Sequence, residues 1–158
     1  MKNTANKSLA TTIILIASLV SVLLLIVTPL QFMNFFKDGV HAIWGWTGIF
    51  GGDIFITAAR DTIHCDFNWV LYVNLLLTIV LGVTTYLIGP KAKGYYIFAA
   101  IIFVVIAIIN FTTVDVWLKA STLKVTGCEL YLGIGPWVGG IGGVVSAISC
   151  IVAHSFEK

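Results

Sequence analysis

Four long apolar runs divide the chain, and none of them contains a lysine, an arginine or a glutamate. They cover residues 9–30, 67–88, 95–117 and 131–153. Each has about 20 residues or slightly more, the length that a helix needs to cross about 30 Å of hydrocarbon. The first run exceeds the ~7–15 residues of a signal-peptide core, so we expect it to remain as a helix. The pattern predicts an all-α membrane protein, a four-helix bundle forming a single tetraspan domain over residues 1–158.

The linkers between these runs differ in their density of positive charge. Four spans place both tails and linker 89–94 on one side, which carries Lys2, Lys7, Lys91, Lys93 and Lys158. The much longer linkers 31–66 and 118–130 lie on the other side and carry Lys37, Arg60, Lys119 and Lys124. The positive-inside rule therefore predicts that both termini are cytoplasmic and that the two longer linkers are extracellular, on a protein of the plasma membrane.

The composition agrees with a membrane location. Hydrophobic residues make up 59% of the chain and charged residues 10%, whereas a soluble domain has about 25% charged residues. The lipid bilayer is therefore the first expected partner. The net charge of +2, without any run of basic residues, excludes a nucleic-acid-binding class. Trp69, Trp117 and Trp137 fall near the outer interface, where indole rings serve as anchors.

Small residues recur every four positions along the fourth run, at Gly135, Gly139, Gly143 and Ala147. Such a stripe lets helix backbones approach closely, which is how helices associate in lipid. The partner helix could belong to the same chain or to a second molecule. We favour packing within the chain.

The second and third runs each contain one asparagine, Asn74 and Asn110. In antiparallel helices both lie about 10 Å below the outer surface, at 1.5 Å per residue, so they could hydrogen-bond to each other. The alternatives are a polar step on an ion path and a contact with another subunit. An ion path would use Thr78 and Thr113 as well, but no acid or base lies at that depth beside them.

The stretch "IWGWTGIFGGD" lies in the long outer linker and combines aromatic residues with glycines. We predict a hairpin of residues 40–50 and 53–58 that turns at Gly51-Gly52. Residues 122–126 would add a strand from the second outer linker and complete a small extracellular sheet. Exposed apolar side chains there would contact a partner, and the predicted contact residues are Trp44, Trp46, Ile49 and Phe50.

Two of the three cysteines lie in the outer linkers. Cys65 ends the first and Cys128 ends the second, in a compartment that oxidises thiols, so we predict a disulfide between them. Cys150 lies deep in the fourth run and is expected to be a free packing residue.

Signals for catalysis are weak. Only "HCD", residues 64–66, gathers metal-binding residue types, and adjacent residues on a strand point to opposite faces. The chain contains no C-x-x-C or H-x-x-x-H spacing. We therefore predict a protein that is not an enzyme, with no catalytic residue, cofactor or metal. A metal carrier or membrane enzyme using this triplet is the third possibility, after the two below.

Three segments resemble the claudin and peripheral-myelin-protein superfamily of tetraspan proteins. "IWGWTGIF" resembles its W…G-L-W loop signature, "PKAKGYYIFAAIIF" its basic short loop, and "CELYLGIGPWVGGIGGVVSAISC" its small-residue-rich fourth helix. That family pairs two cysteines within the first outer loop, where this chain has only Cys65. The resemblance implies a helix bundle capped by a small sheet, with lateral or trans contacts made by the outer loops.

These features predict a non-enzymatic tetraspan protein that acts by association. It would serve either as a claudin-like adhesion or membrane-organising protein or as an accessory structural subunit, so its partners would be itself or other membrane-protein subunits. The alternative function is a small oligomeric channel or transporter.

Overall fold

The computed structural model describes residues 2–35, 39–56, 61–92, 94–120 and 128–156, and side chains within these ranges except those of 2–6, 35, 39, 55, 56, 61, 63, 120 and 128. The elements in chain order are α1 (Lys2–Val27), β1 (Pro29–Phe35), β2 (Gly39–Trp44), α2 (Gly45–Phe50), β3 (Gly52–Ile56), β4 (Asp61–Cys65), α3 (Trp69–Leu87), α4 (Tyr95–Phe111), α5 (Thr113–Ala120), β5 (Cys128–Leu132) and α6 (Ile134–Ser155).

Three helices are each long and apolar enough to cross a membrane: α1 from residue 7 onward, α3 and α6. The chain has a fourth candidate if α4 and α5 count as one broken span, because the two helices meet at a bend of 72°. The prediction of one continuous helix over 95–117 is therefore wrong. The bend lies at Thr112 and Thr113, whose hydroxyl groups donate to the carbonyls of Ile108 and Asn110, at 2.8 and 2.7 Å. Such local bonds compete with the regular helical ladder.

The four long helices form a bundle in which α1 and α4 each contact both α3 and α6. Small residues and a few large ones fill one end of its interior, among them Ala10, Ile14, Tyr96 and Phe103. The outward faces are apolar too, with Leu23, Val80, Ile101 and Ile148 exposed. A helix that is apolar all round belongs in a core or in a membrane.

The described residues of 28–68 and 112–133 form a second layer on one end of the bundle, which we call the cap. Its main sheet has the order β2-β1-β5 and is antiparallel throughout, with Phe32 opposite both Ala42 and Tyr131. Strand β5 begins in the second linker, so the prediction of a small sheet with strands from both linkers is confirmed in this coarse form, although β1 and β5 are not among the predicted strands. Strands β3 and β4 form a separate antiparallel pair. The other end of the bundle, with the start of α1 and the turn after α3, is called the base.

The predicted hairpin turning at Gly51-Gly52 is wrong. Residues 45–50 form α2, and the two glycines end it with φ angles of +85° and +149°. The Gly51 N–H donates to the Thr47 carbonyl at 3.0 Å, which closes the last helical turn. Positive φ angles favour glycine, so the pair acts as a helix stop. The predicted strand 122–126 lies outside the described residues.

The sheet also takes residues that hydropathy assigned to two spans. Strand β1 begins at Pro29, inside the predicted first span, and β5 continues to Leu132, inside the predicted fourth. The Gly133 N–H donates to the Leu30 carbonyl at 2.9 Å, which joins the two strands beside the start of α6. Apolar content alone cannot separate these strand ends from helix ends.

Candidate interaction surface

The small-residue stripe of α6 contacts two helices of the same chain. A Cβ placed on Gly135 would lie 3.0 Å from the Leu24 carbonyl oxygen of α1. On Gly139 it would lie 3.1 Å from the Asn110 side chain, and on Gly143 3.0 Å from the Phe103 carbonyl oxygen, both in α4. Ala147 is buried in the same core. The stripe therefore brings α6 against α1 and α4 within one molecule.

Asn74 and Asn110 meet inside the bundle. Asn74 Nδ2 donates to Asn110 Oδ1 at 3.1 Å, and both side chains are buried. The hydroxyl groups of Thr78 and Thr113 donate to the backbone carbonyls of these two asparagines, each at 2.7 Å. The four polar residues weighed for an ion path thus bond to one another or to their own helices.

Further buried hydroxyls belong to this interior and carry no periodic signal of their own in the sequence. Ser18 of α1 faces Gly82 of α3, where a Cβ on the glycine would lie 2.6 Å from Ser18 Cβ. Ser21 of α1 faces Gly142 of α6 in the same way. Serine–glycine pairs of this kind let two helices approach closely.

Five aromatic rings form one continuous cluster where α2 meets the start of α3: Trp46, Phe50, Phe67, Trp69 and Tyr72, which we call the aromatic surface. Ring centroids are 4.4 Å apart for Trp46 and Phe50, 5.8 Å for Phe50 and Tyr72, and 4.7 Å for Phe67 and Trp69. Trp46 is 60% exposed and Trp69 68% exposed. Contacts of this geometry stabilise ring pairs beyond their area burial.

The opposite, buried face of α2 attaches the aromatic surface to the cap core. Gly45, Gly48 and Ile49 are buried, and a Cβ on Gly48 would lie 3.3 Å from Ile43 Cγ2. The Asn68 N–H donates to the Ile49 carbonyl at 3.0 Å, while Asn68 Oδ1 accepts from the Leu71 N–H at 3.1 Å and caps α3. One asparagine therefore ties α2 to the beginning of α3.

The predicted contact residues divide between surface and core. Trp44 and Trp46 are exposed, but Ile49 has 0% exposure and belongs to the cap core, so its prediction as a contact residue is wrong. Ile49 packs with Leu30 and Ile43 in the cap core, while Trp46 and Phe50, four residues apart, lie next to each other on the outer side of α2. Phe50 is half-buried and joins the aromatic surface. Phe67 and Tyr72 were missed, because only the fold brings them to α2.

A second exposed apolar patch lies on the outward face of the main sheet. Val40 and Trp44 alternate along β2 and share that face. Tyr131 stands on the same face of β5, opposite Phe32, and donates its hydroxyl hydrogen to Glu129 Oε2. All three apolar side chains are exposed. We call Val40, Trp44 and Tyr131 the outer sheet face.

The structure does not support the predicted disulfide. The Cys65 thiol is free and buried in the cap core beside Leu71, and the side chain of Cys128 lies outside the described part. Cys128 lies at the start of β5, opposite Phe35 of β1. Burial, with the charges of Asp66 and Asp53, raises the pKa of Cys65 to about 11, so the thiol stays protonated.

The segment "HCD" forms an exposed charge pair across the small β3–β4 sheet. His64 Nδ1 lies 2.6 Å from Asp53 Oδ1. The hydrogen bond to Asp53 and its negative charge raise the pKa of His64 above 6.5. Among the residues with described positions, no group of three or more His, Cys, Asp or Glu side chains could hold a metal ion.

Comparison of the chain with known proteins finds no matching family model, no matching curated protein and no matching solved structure. The functional interpretation is therefore carried by the residues and their geometry.

Proposed function

We propose that this chain is a non-enzymatic tetraspan membrane protein that acts by association with other membrane-protein chains. Both termini face the cytoplasm, and the cap faces the outside of the plasma membrane. The aromatic surface, together with the outer sheet face, makes the contact. This function has two alternative forms. The chain is either a claudin-like adhesion or membrane-organising protein or an accessory subunit of a larger complex.

The topology is supported by the helices and by the placement of charge. α1, α3 and α6 are long and apolar enough to span, and α4, with 17 residues, serves as the fourth span, from which α5 bends by 72° into the cap. The base carries the tails and the Lys91 turn, the positively charged side of the chain. This arrangement satisfies the positive-inside rule when the base is cytoplasmic.

The exposed aromatic surface is the observation that carries the proposal. Isolated tryptophans at an interface act as membrane anchors, but here five rings form one connected cluster. The two most exposed, Trp46 and Trp69, lie at the starts of α2 and α3, and the other face of α2 is buried in the cap core. Clustered tryptophan and tyrosine side chains are typical of the centres of protein interfaces.

The interior favours packing over transport as the role of the buried polar residues. Asn74 donates to Asn110 across the two helices, and the neighbouring threonines bond to backbone carbonyls. Their hydrogen bonds therefore contribute to helix association, as expected for polar groups in a bundle interior.

The deciding experiment extracts the chain from its native membrane in a mild detergent, measures the particle mass and identifies its components. A particle of this chain alone, larger than a monomer, supports the self-associating form. A particle containing other chains supports the accessory form. A particle of monomer mass with no other protein contradicts the proposal.

Matched tryptophan variants test the surface itself. Trp46→Ser with Trp69→Ser should reduce the particle to monomer mass, because both rings lie in the proposed contact. Trp137→Ser is the control, since this ring is 53% exposed at the start of α6 and touches Phe111 outside the aromatic surface. An equal effect of both variants would show that general membrane anchoring, rather than a specific contact, is lost.

A further inference from the structure

The base of the bundle contains a cavity of about 350 Å³ between α1 and the end of α3. Its walls include Lys7, Ser8 and Thr11 of α1, and Tyr86, Leu87 and Lys91 of α3 and the turn that follows. A volume of this size is within the range of small-molecule sites, about 300–1,000 Å³. The cavity is remote from the aromatic surface, which lies at the cap end.

The polar part of this cavity is positively charged. Two lysines line it, and no carboxylate belongs to the described lining. Lys7 Nζ also lies over the ring of Tyr96 in α4, 5.3 Å from the ring centroid, a cation–π contact that ties this lysine to the neighbouring helix. The Thr11 hydroxyl donates to the Ser8 carbonyl at 2.9 Å within α1. The ligand must therefore offer negative charge.

The other part of the cavity is apolar and opens sideways. Tyr86 and Leu87 are exposed on the outside of α3, continuous with the apolar face that includes Val80 and Val83. A ligand that lies in the cavity and follows this wall would have an anionic end and an apolar end. An inorganic anion would leave the apolar wall unused.

We propose that the cavity binds an anionic phospholipid of the inner leaflet. Its phosphate lies between Lys7 and Lys91, and an acyl chain runs along Tyr86 and Leu87. Basic groups at the cytoplasmic surface attract anionic lipids, and each contributes about 1 kcal/mol. This inference rests on the inward orientation of the base in the proposed function, but it is independent of the aromatic surface.

The test uses the full chain, purified in a neutral detergent and placed in phosphatidylcholine nanodiscs with increasing phosphatidylglycerol. Native mass spectrometry counts the phosphatidylglycerol molecules retained by the protein. Wild type should retain one. Lys7→Gln and Lys91→Gln should each weaken retention about fivefold, the effect of about 1 kcal/mol. Lys91→Arg should retain the lipid, because it keeps the charge.

Lys119→Gln is the matched control, since Lys119 is an exposed lysine on α5, in the cap. An equal loss in this variant would overturn the site in favour of overall charge. Competition by inorganic phosphate at the same concentration as the lipid would also overturn it, in favour of a free-anion site. Unchanged retention in Lys91→Gln contradicts it directly, even if Lys7→Gln disturbs the contact with Tyr96. Failure of the proposed function would appear elsewhere, as an unchanged particle mass in the tryptophan variants.

Discussion

The bundle and the cap are packed in different ways. Inside the bundle, helices meet through glycines, serines and one asparagine pair beside a few large side chains such as Tyr96 and Phe103, while most large apolar side chains point outward. Inside the cap, large side chains such as Trp117, Met33 and Ile43 fill the core. The proposed membrane placement accounts for this difference. In lipid, apolar burial does not drive helices together, so close approach and polar contacts must do it. Beside water, burial of large apolar groups is the main driving force.

Exposed apolar side chains therefore have different explanations in the bundle and in the cap. Ile101 and Ile148 on the bundle would face lipid chains, which cover them at no cost. Trp44 and Trp46 lie on the cap, which the proposed topology places outside the hydrocarbon, and an exposed apolar patch there is a candidate contact surface. The following predictions test this contrast, from the largest expected effect to the smallest.

Removal of the largest buried ring should show that the cap depends on burial. Trp117 is 1% exposed, so Trp117→Ala should lower the free energy of unfolding by about 3–5 kcal/mol. Denaturant unfolding followed by tryptophan fluorescence measures this loss. Trp137→Ala removes an exposed ring and should change little. A small effect at Trp117 would contradict the cap core described here.

An enlarged side chain on the α6 stripe should show that the bundle depends on close approach. Gly143→Leu places atoms against the Phe103 carbonyl, which already lies 3.0 Å from where a Cβ would be. Overpacking of this kind costs about 1–3 kcal/mol. Val144→Leu, one position along and exposed, is the matched control. Thermal unfolding in detergent compares them, and equal midpoints would contradict packing through this stripe.

Variants of the Asn74–Asn110 pair distinguish a role in helix packing from a role in transport. Asn74→Leu leaves Asn110 with a buried, unpaired amide, so the single variant should cost about 1–3 kcal/mol of stability. Adding Asn110→Leu should recover part of that loss, because both polar groups are then gone. Liposome flux assays of the double variant provide the second measurement. Loss of a wild-type flux with retained stability would favour the channel alternative.

The smallest effect is expected at the exposed His64–Asp53 pair of the cap. Because the folded-state pKa of His64 is raised, the pair stabilises the β3–β4 sheet fully below the unfolded pKa of about 6.5. That contribution is lost as the pH rises through the folded-state pKa. In an NMR titration, Asp53→Asn should lower the pKa of His64 toward its ordinary value. An unchanged pKa would contradict the pairing.

The stripe and the asparagine pair could be read from sequence because each depends on helix geometry alone. A four-residue repeat of small side chains defines one helix face wherever the helix lies. Equal depth of Asn74 and Asn110 follows from helix rise and antiparallel order. The aromatic surface could not be read in the same way. Phe67 and Trp69 are about 20 residues from Trp46 and Phe50, and only the fold joins them.

The sequence by itself determined the number of apolar segments, the linkers in which positive charge accumulates, and the presence of a small sheet beside the helices. These follow from local hydropathy, charge and strand-forming composition, which need no knowledge of neighbours. Tertiary structure alone decided which residues form that sheet, that residues 45–50 are helical, that Ile49 and Cys65 are buried, and that the third segment breaks at Thr112. Each of these depends on which groups pack or hydrogen-bond across the cap, and such contacts between distant residues leave no periodic trace in the chain.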